Sequence, residues 1–193
     1  METNRTSKPS WKQSLRQALS RLEKPERALR IAVVGIGNEL RGDDAAGLLV
    51  AGALIQRQTQ DARQATDNLP RLLALEGGAA PENVTGALRR FAPDLVVFVD
   101  AAFLDAGAPP GVISWLDWRE TAGPSARALS ASTHTLPLHV IAQYLASELS
   151  CEVALIGIQP NHLAFDRATS QSVRQAAQEV AAELWAVVAE GQP

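Results

Sequence analysis

Two adjacent carboxylates, Asp43 and Asp44, follow a glycine turn in the segment IAVVGIGNELRGDD, residues 31–44. The apolar run at residues 31–34 does not alternate with polar residues, which is typical of a strand that is covered on both faces. In open α/β sheets, clefts form at the carboxyl ends of strands. Polar residues at this turn are therefore candidates for a catalytic or metal-binding site.

Both aspartates also have a purely structural interpretation. A carboxylate at a helix start can cap free N–H groups and interacts favourably with the helix dipole, which together contribute roughly 1 to 2 kcal/mol. This interpretation fits Asp43 as well as a functional one does. It fits Asp44 less well, because neighbouring helical side chains point about 100° apart and one cap does not need two carboxylates. From the sequence, replacing Asp43 is therefore expected to be the milder change.

The same turn does not match a dinucleotide-binding fingerprint. Gly35 and Gly37 are present, but Leu40 stands where the third glycine should be. The arginine and the two aspartates that follow would also be unfavourable neighbours for a pyrophosphate.

A further carboxylate and a histidine lie later in the chain. Asp100 directly follows the apolar run LVVFV, residues 95–99, and His134 precedes a helix that begins near Pro137. Each has a plain alternative, since Asp100 can cap its loop and His134 can hydrogen-bond its own loop. With Asp44, however, they form a set of two carboxylates and one imidazole that suits a divalent transition metal with open coordination positions. Asp44 and Asp100 are also the candidates for acid–base catalysis.

Hydrophobic periodicity predicts the elements that must position these residues. Strands are predicted at residues 31–34, 72–75, 95–99, 112–116 and 153–158, and helices at residues 11–22, 42–55, 82–91, 137–149 and 169–190. The helix after the aspartates is expected to bury a face with i, i+3, i+4, i+7 spacing, namely Leu48, Ala51, Gly52 and Ile55. Gly77 and Gly78 predict a tight turn at the end of the second strand.

The chain has 193 residues, of which 46% are hydrophobic and 20% charged, and this is enough for one α/β domain. No apolar run approaches the ~20 residues needed to cross a bilayer, and the first ten residues lack the apolar segment of a signal peptide. We therefore expect a cytoplasmic protein. The single cysteine, Cys151, begins an apolar strand and is interpreted as a small core residue rather than a nucleophile.

The charges are distributed unevenly along the chain. Residues 1–30 contain eight Lys and Arg against three Asp and Glu, a net charge of +5, whereas the remainder, with 10 against 18, carries −8. The acidic remainder argues against nucleic acid as a partner. The helix at residues 11–22 is amphipathic and either packs on the domain itself or docks a partner protein, and membrane association is a weaker alternative.

Five segments of the chain resemble the nickel-iron hydrogenase maturation endopeptidases, in particular the branch associated with formate-linked hydrogenases. They are GIGNELRGDDAAG at 35–47, EGGAAPEN at 76–83, VDA at 99–101, STHTLPL at 132–138 and GIQP at 157–160. Each segment alone is weak evidence, but five in the family's order are specific. The resemblance covers roughly residues 31–190, and it departs from the family at Ala45, where glycine is usual, and in the 30 residues before the first strand.

The resemblance implies a three-layer α/β/α fold with a mostly parallel sheet of about five strands. It implies an endopeptidase that removes the C-terminal extension of a hydrogenase large-subunit precursor and recognises nickel already bound to that precursor. The family's carboxylate ligands fall on Asp44 and Asp100, and its histidine falls on His134. We accordingly divide the chain into a basic amphipathic extension, residues 1–29, and one peptidase domain, residues 30–190.

Two other classes of function stay open. A doubly wound binding module would use the turn at residues 35–38 for a phosphate ligand, and a magnesium-dependent phosphohydrolase would use carboxylates at strand ends. A covalent acyl-enzyme is not supported, because the sequence has no nucleophile elbow around a serine and no recognisable partner for Cys151.

Overall fold

The computed structural model describes residues 9–60, 69–104, 107–119 and 138–189. The strands are β1 (Arg30–Ile36), β2 (Arg71–Gly78), β3 (Leu95–Ala101), β4 (Ile113–Leu116) and β5 (Glu152–Ile158). The helices are α1 (Trp11–Leu22), α2 (Ala46–Gln60), α3 (Thr85–Phe91), α4 (Leu138–Leu149) and α5 (Gln171–Ala189), and short 3₁₀ turns, Gly42–Ala45 and Pro81–Val84, precede α2 and α3. The predicted strands and helices are confirmed, with ends that shift by a few residues.

The five strands form one sheet in the order β2-β1-β3-β5-β4. Four of them are parallel, and β4 pairs antiparallel with β5 at the edge. Because β2 and β3 lie on opposite sides of β1, the chain changes direction across the sheet between β1 and β3. In open α/β sheets this switch point is where the carboxyl ends of the strands leave a crevice for a ligand.

Two hydrophobic cores cover the two faces of the sheet. Along β1, Ile31 and Val33 belong to one core, whereas Ala32 and Val34 belong to the other, as the period of two along a strand requires. Helices α1, α2 and α5 contribute to the first core, and α3 and α4 contribute to the second. The layers are therefore helix, sheet and helix, and the predicted three-layer α/β/α class is confirmed.

The buried face of α2 differs from the predicted one by a single register step. The structure buries Gly47, Val50, Ala51 and Leu54. Both registers have i, i+3, i+4, i+7 spacing, because this helix is apolar on most of its surface. Gly47 decides between them, since a Cβ at this position would overlap the carbonyl oxygens of Val99 and Ile36. Only glycine allows the helix to approach the sheet this closely.

Helix α1 packs against the core of the domain. Ser10 caps it through a capping box with Gln13, and its apolar face is buried together with α5 and the sheet, with Leu15 fully inaccessible. On its polar side, Lys12 forms an ion pair with Glu179 at 2.9 Å and Arg16 forms one with Glu183 at 2.7 Å. Of the two interpretations of this helix, the structure thus favours packing on the domain.

The segment after α1 is anchored at the amino-terminal ends of the parallel strands. The buried carboxylate of Asp94 accepts hydrogen bonds from Lys24, from the guanidinium of Arg27 and from the backbone N–H of Arg30, at 2.6 to 2.9 Å. Burial raises the pKa of Asp94, but these donors outweigh it and hold the pKa at about 2. Asp94 is therefore a structural anchor. It lies at the amino-terminal ends of the strands, whereas the candidate site lies at their carboxyl ends.

Two expectations about composition can be compared with the structure. Cys151 is buried, its Sγ lies 3.6 Å from the carbonyl oxygen of Leu145, and burial raises its pKa to about 11, so its interpretation as a core residue is confirmed. Within the described ranges, no helix has the length and hydropathy needed to span a bilayer.

Candidate active site

The candidate site lies at the carboxyl edge of the sheet, at the switch point between β1 and β3. Asp100 is the penultimate residue of β3, and Asp44 lies in the 3₁₀ turn that follows β1. Helix α2 covers one face of the sheet at this point and α3 covers the other. The two strands are neighbours in the sheet, with Gly35 opposite Val99. Asp44 and Asp100 therefore both lie near the carboxyl ends of neighbouring strands.

Two glycines fix the position of Asp44 relative to β1 and β3. Gly37 has φ +133°, and a Cβ there would overlap the carbonyl oxygen of Asp44. Gly47, one helical turn after Asp44, rests on the carbonyl oxygen of Val99, the residue before Asp100. The turn that carries Asp44 is thus pressed against the end of β1 on one side and against the end of β3 on the other.

Both carboxylates are buried in the protein. Asp44 is 2% exposed and Asp100 is 1% exposed. Clefts are expected at the carboxyl ends of such strands, but neither carboxylate lies in an open cleft. Carboxylates in such surroundings are desolvated, which strengthens their electrostatic interaction with a cation.

Asp43, the neighbour of Asp44, has a structural role that the sequence did not indicate. Its buried carboxylate accepts hydrogen bonds from the N–H groups of Asn161 (2.7 Å) and His162 (3.1 Å). It also accepts one from the N–H of Ser170 (2.6 Å) and one from the Ser170 hydroxyl (3.0 Å). The interpretation of Asp43 as a helix cap is wrong, because no side chain caps the 3₁₀ turn and this carboxylate binds the segment after β5 instead.

The ionisation of Asp43 follows from these contacts. Burial raises the pKa of its carboxyl group, but the hydrogen bonds from Ser170, Asn161 and His162 outweigh the effect of burial and leave the pKa below its usual value. Asp43 is thus ionised at neutral pH, and its carboxylate accepts hydrogen bonds from three other residues of the protein. This occupancy makes it a poor candidate for catalysis.

The segment 161–170 is held to the 3₁₀ turn by further contacts. The N–H of Asp43 donates to the carbonyl of His162 at 3.1 Å, and the Thr169 hydroxyl donates to the carbonyl of Gly42 at 3.0 Å. Gly42 has φ +57°, and a Cβ there would lie 2.6 Å from the His162 ring. The turn and the segment therefore form one packed unit that carries Asp44.

Gln159 joins the loops that follow β3 and β5. Its side chain is buried, its Oε1 accepts a hydrogen bond from the N–H of Leu104 at 2.9 Å, and its Nε2 donates to the carbonyl of Pro160 at 3.3 Å. The chain immediately after Asp100 is thereby tied to the end of β5. This contact accounts structurally for the glutamine in the GIQP segment.

The backbone of the glycine turn is not arranged for a phosphate. Its N–H groups donate within the protein, from Gly37 to Gly78, from Leu40 and Arg41 to Asn38, from Asp43 to His162 and from Asp44 to Arg41. An anion-binding loop needs such N–H groups to point at the ligand. The geometry therefore disfavours the nucleotide-binding alternative.

The tight turn that the sequence predicted at Gly78 is present, and Gly78 has φ +59°. The carbonyl oxygen of Gly78 accepts the hydrogen bond from the N–H of Gly37.

The third member of the predicted metal set, His134, lies outside the described residues. Across the described ranges, no three His, Cys, Asp or Glu side chains are grouped so that they could hold a metal ion. Asp44 and Asp100 contribute two oxygen donors at one edge, which fits a divalent cation whose other ligands come from elsewhere. Whether His134 joins them stays a prediction.

Comparisons with known proteins give a consistent result. Residues 55–187 match the model of the hydrogenase maturation protease family. The hydrogenase 3 maturation protease of Escherichia coli K12 is 30% identical over 145 residues, which cover 75% of this chain and 82% of that protein. The crystal structure of the NiFe hydrogenase maturation protease HycI from Thermococcus kodakarensis superposes with a TM-score of 0.71 at 33% identity, covering 92% of this chain and 99% of that one. The solution structure of the E. coli endopeptidase HycI covers 81% and 91%, with a TM-score of 0.62 at 28% identity.

Proposed function

Because the chain belongs to the hydrogenase maturation protease family, we propose that it removes the C-terminal extension of a nickel-iron hydrogenase large-subunit precursor after nickel insertion. The reaction is hydrolysis of one peptide bond. The precursor is the partner, and nickel enters as part of the substrate rather than as a resident cofactor.

The observation that carries this proposal is the juxtaposition of Asp44 and Asp100. The two buried carboxylates belong to neighbouring strand ends, and the turn that bears Asp44 is wedged between those ends by Gly37 and Gly47. The neighbouring carboxylate of Asp43 is occupied by backbone and hydroxyl donors. Asp44 and Asp100 thus form an acidic pair at the switch point, whereas Asp43 serves to anchor the turn.

Peptide hydrolysis requires a water oxygen to attack the scissile carbonyl carbon and a proton to reach the departing amide nitrogen. A carboxylate next to the water accepts its proton, and the resulting carboxylic acid can deliver a proton to the nitrogen as the C–N bond breaks. We assign these proton-transfer roles to Asp44 and Asp100. The raised pKa of Cys151 and its position in the core leave no role for it as a nucleophile.

Recognition of the substrate's nickel is assigned to Asp44, Asp100 and His134. Carboxylate and imidazole groups are suitable ligands for a divalent transition metal, and three protein donors leave coordination positions for the precursor's own atoms. A site of this kind binds free nickel weakly, because the complete ligand set forms only when the precursor is present. Bound nickel thus distinguishes a precursor that is ready for cleavage, and the enzyme recognises this nickel before it cleaves.

We propose the branch associated with formate-linked hydrogenases as the source of the precursor, because the five sequence segments quoted above resemble that branch. A cytoplasmic location agrees with a protease that acts on a precursor during its maturation.

The proposal is tested by incubating the nickel-loaded precursor with the wild-type chain and with Asp44→Asn and Asp100→Asn, and by measuring the mass of the large subunit. Wild type is expected to shorten the precursor, and both variants are expected to leave it intact. Asp94→Asn is the matched control, because it also changes a buried aspartate beside the same sheet. Asp94 lies at the amino-terminal ends of the strands, away from the candidate site. Processing by Asp44→Asn at the wild-type rate would remove Asp44 from the mechanism.

A further inference from the structure

Two large apolar side chains are strongly exposed beside the candidate site. Leu40 is 59% exposed and Phe165 is 64% exposed, and these are the two most exposed large apolar side chains among the described residues. Leu40 precedes the 3₁₀ turn of Asp44, and Phe165 lies in the segment after β5. Together with Arg41 they form what we call the Leu40 surface.

The Leu40 surface has a defined shape because its two segments are joined. The N–H of Asp166 donates to the carbonyl of Leu40 at 3.0 Å. The guanidinium carbon of Arg41 lies 5.1 Å from the centre of the Phe165 ring, within the range of a cation–π contact. The N–H of Leu40 donates a hydrogen bond to the Oδ1 of Asn38 at 2.9 Å. The exposed side chains are therefore presented by a hydrogen-bonded backbone.

The anchoring of Asp43 extends to this surface. Its carboxylate binds Asn161 and His162 at one end of the post-β5 segment and Ser170 at the other, so Phe165 lies on a span fixed at both ends. A surface held in advance loses less conformational entropy when it binds a partner. The next residue, Asp44, donates its N–H to the carbonyl of Arg41 at 3.1 Å, so the surface is continuous with the site.

The size and composition of the surface indicate the kind of partner. The aromatic ring and the arginine are of residue types that are enriched at interfaces, and the leucine adds apolar area beside them. Two side chains expose on the order of 200 Å², far below the roughly 800 Å² per partner that a stable dimer buries. This area suits a short polypeptide segment better than a second copy of the chain.

We infer that the Leu40 surface docks an apolar segment of the precursor polypeptide next to the scissile bond. This inference rests on the proposed function, since a protease must hold its substrate chain at the edge that carries Asp44 and Asp100. The apolar side chains of the substrate contact Leu40 and Phe165, and the docked segment positions the peptide bond over the carboxylates. The surface contributes to substrate affinity and takes no part in proton transfer.

The experiment compares wild type with the double variant Leu40→Ser/Phe165→Ser, measuring both the Kd for nickel-loaded precursor and the rate of cleavage. The matched control is Tyr144→Ala, which removes another exposed aromatic ring that lies 5.5 Å from an arginine, Arg89, between α3 and α4. We expect the double variant to bind precursor at least tenfold more weakly and to show a raised KM with kcat within about twofold. Tyr144→Ala is expected to match wild type in both, and all three chains should melt at similar temperatures.

The outcomes separate the docking inference from the proposed function. If wild type cleaves the precursor and the double variant has an unchanged Kd and KM, the surface does not dock the substrate and the protease function stands. If wild type binds but does not cleave, while the double variant loses binding, docking stands and the proposed function fails. Wild type that neither binds nor cleaves would overturn both. A dimer in light scattering that the double variant converts to a monomer would assign the surface to self-association and overturn the inference.

Discussion

The N–H group of Ser170 donates a 2.6 Å hydrogen bond to the carboxylate of Asp43, joining the start of α5 to the turn after β1 across 127 positions of the chain. The Ser170 hydroxyl contacts the same carboxylate at 3.0 Å. Through this pair, the residue next to Asp44 is tied to the start of the last helix of the fold. The position of the candidate site thus depends on a contact that no local pattern reveals.

Asp43→Ala is predicted to destabilise the protein by about 3 to 5 kcal/mol, because it removes the buried carboxylate that accepts hydrogen bonds from several part-buried donors. This reverses the expectation from the sequence, in which Asp43 was the milder change. Chemical denaturation followed by circular dichroism measures the loss. Glu39→Ala, an exposed carboxylate in the same loop, is the control and should change the free energy of unfolding by less than about 0.5 kcal/mol. An Asp43 variant as stable as this control would refute the anchoring role.

Asp44→Asn and Asp100→Asn are predicted to abolish processing of the precursor while keeping a native circular dichroism spectrum, since amides match the carboxylates in shape but cannot accept a proton in the same way. His134→Ala is predicted to have the same effect on processing. Activity of either aspartate variant within tenfold of wild type would show that the carboxylate at that position is not required for proton transfer.

Stability is predicted to fall in acid partly through Asp94. Its pKa is about 2 in the folded protein against an ordinary value of 3.8, so its contribution is complete above about pH 4 and is lost as the pH falls towards 2. The contribution is on the order of 2 kcal/mol at low ionic strength and decreases with salt, because Lys24 and Arg27 are more than a third exposed. The free energy of unfolding of Asp94→Asn should therefore vary less with pH between 4 and 2 than that of wild type. Parallel pH profiles would contradict this.

Deleting residues 1–24 is predicted to destabilise the domain severely. From the sequence, residues 1–29 were set apart as an extension, because the family resemblance starts near residue 31. The structure buries Leu15 and Leu19 against the main core and binds Asp94 through Lys24. Leu15→Ala should cost about 2 to 5 kcal/mol, whereas Gln17→Ala on the exposed side of the same helix should be nearly neutral. A truncated chain that melts like wild type would show that α1 is dispensable.

Gly47→Ala is predicted to impair both folding and processing, because the added methyl group overlaps the carbonyl oxygens of Val99 and Ile36 between Asp44 and Asp100. Gly86→Ala is the matched control, a helical glycine whose added methyl group would meet only the end of the Arg90 side chain at 3.7 Å. The control should be neutral or slightly stabilising. Melting temperature and processing rate, measured on both variants, distinguish the two cases. Normal processing by Gly47→Ala would contradict the close packing of α2 against the ends of β1 and β3.

Local patterns were sufficient to predict the strands, because β1, β3 and β5 are continuous apolar runs covered on both faces. They were also sufficient to predict that Asp44 and Asp100 lie near the carboxyl ends of two strands. They could not give the register of α2, whose sequence is apolar in two adjacent registers, so that the contact of Gly47 with the sheet decides. Nor could they predict the role of Asp43, whose partners lie 118 to 127 residues away. Periodicity describes each element alone, whereas these features arise between elements.

We propose that the enzyme recognises the nickel bound to its substrate before it cleaves the C-terminal extension. The most direct test is the intact mass of the large subunit after incubation of the wild-type chain with nickel-loaded and with nickel-free precursor under identical conditions. The account predicts loss of the C-terminal extension only from the nickel-loaded precursor. Equal cleavage of both precursors would contradict nickel recognition and would leave Asp44 and Asp100 as candidates for metal-independent acid–base chemistry.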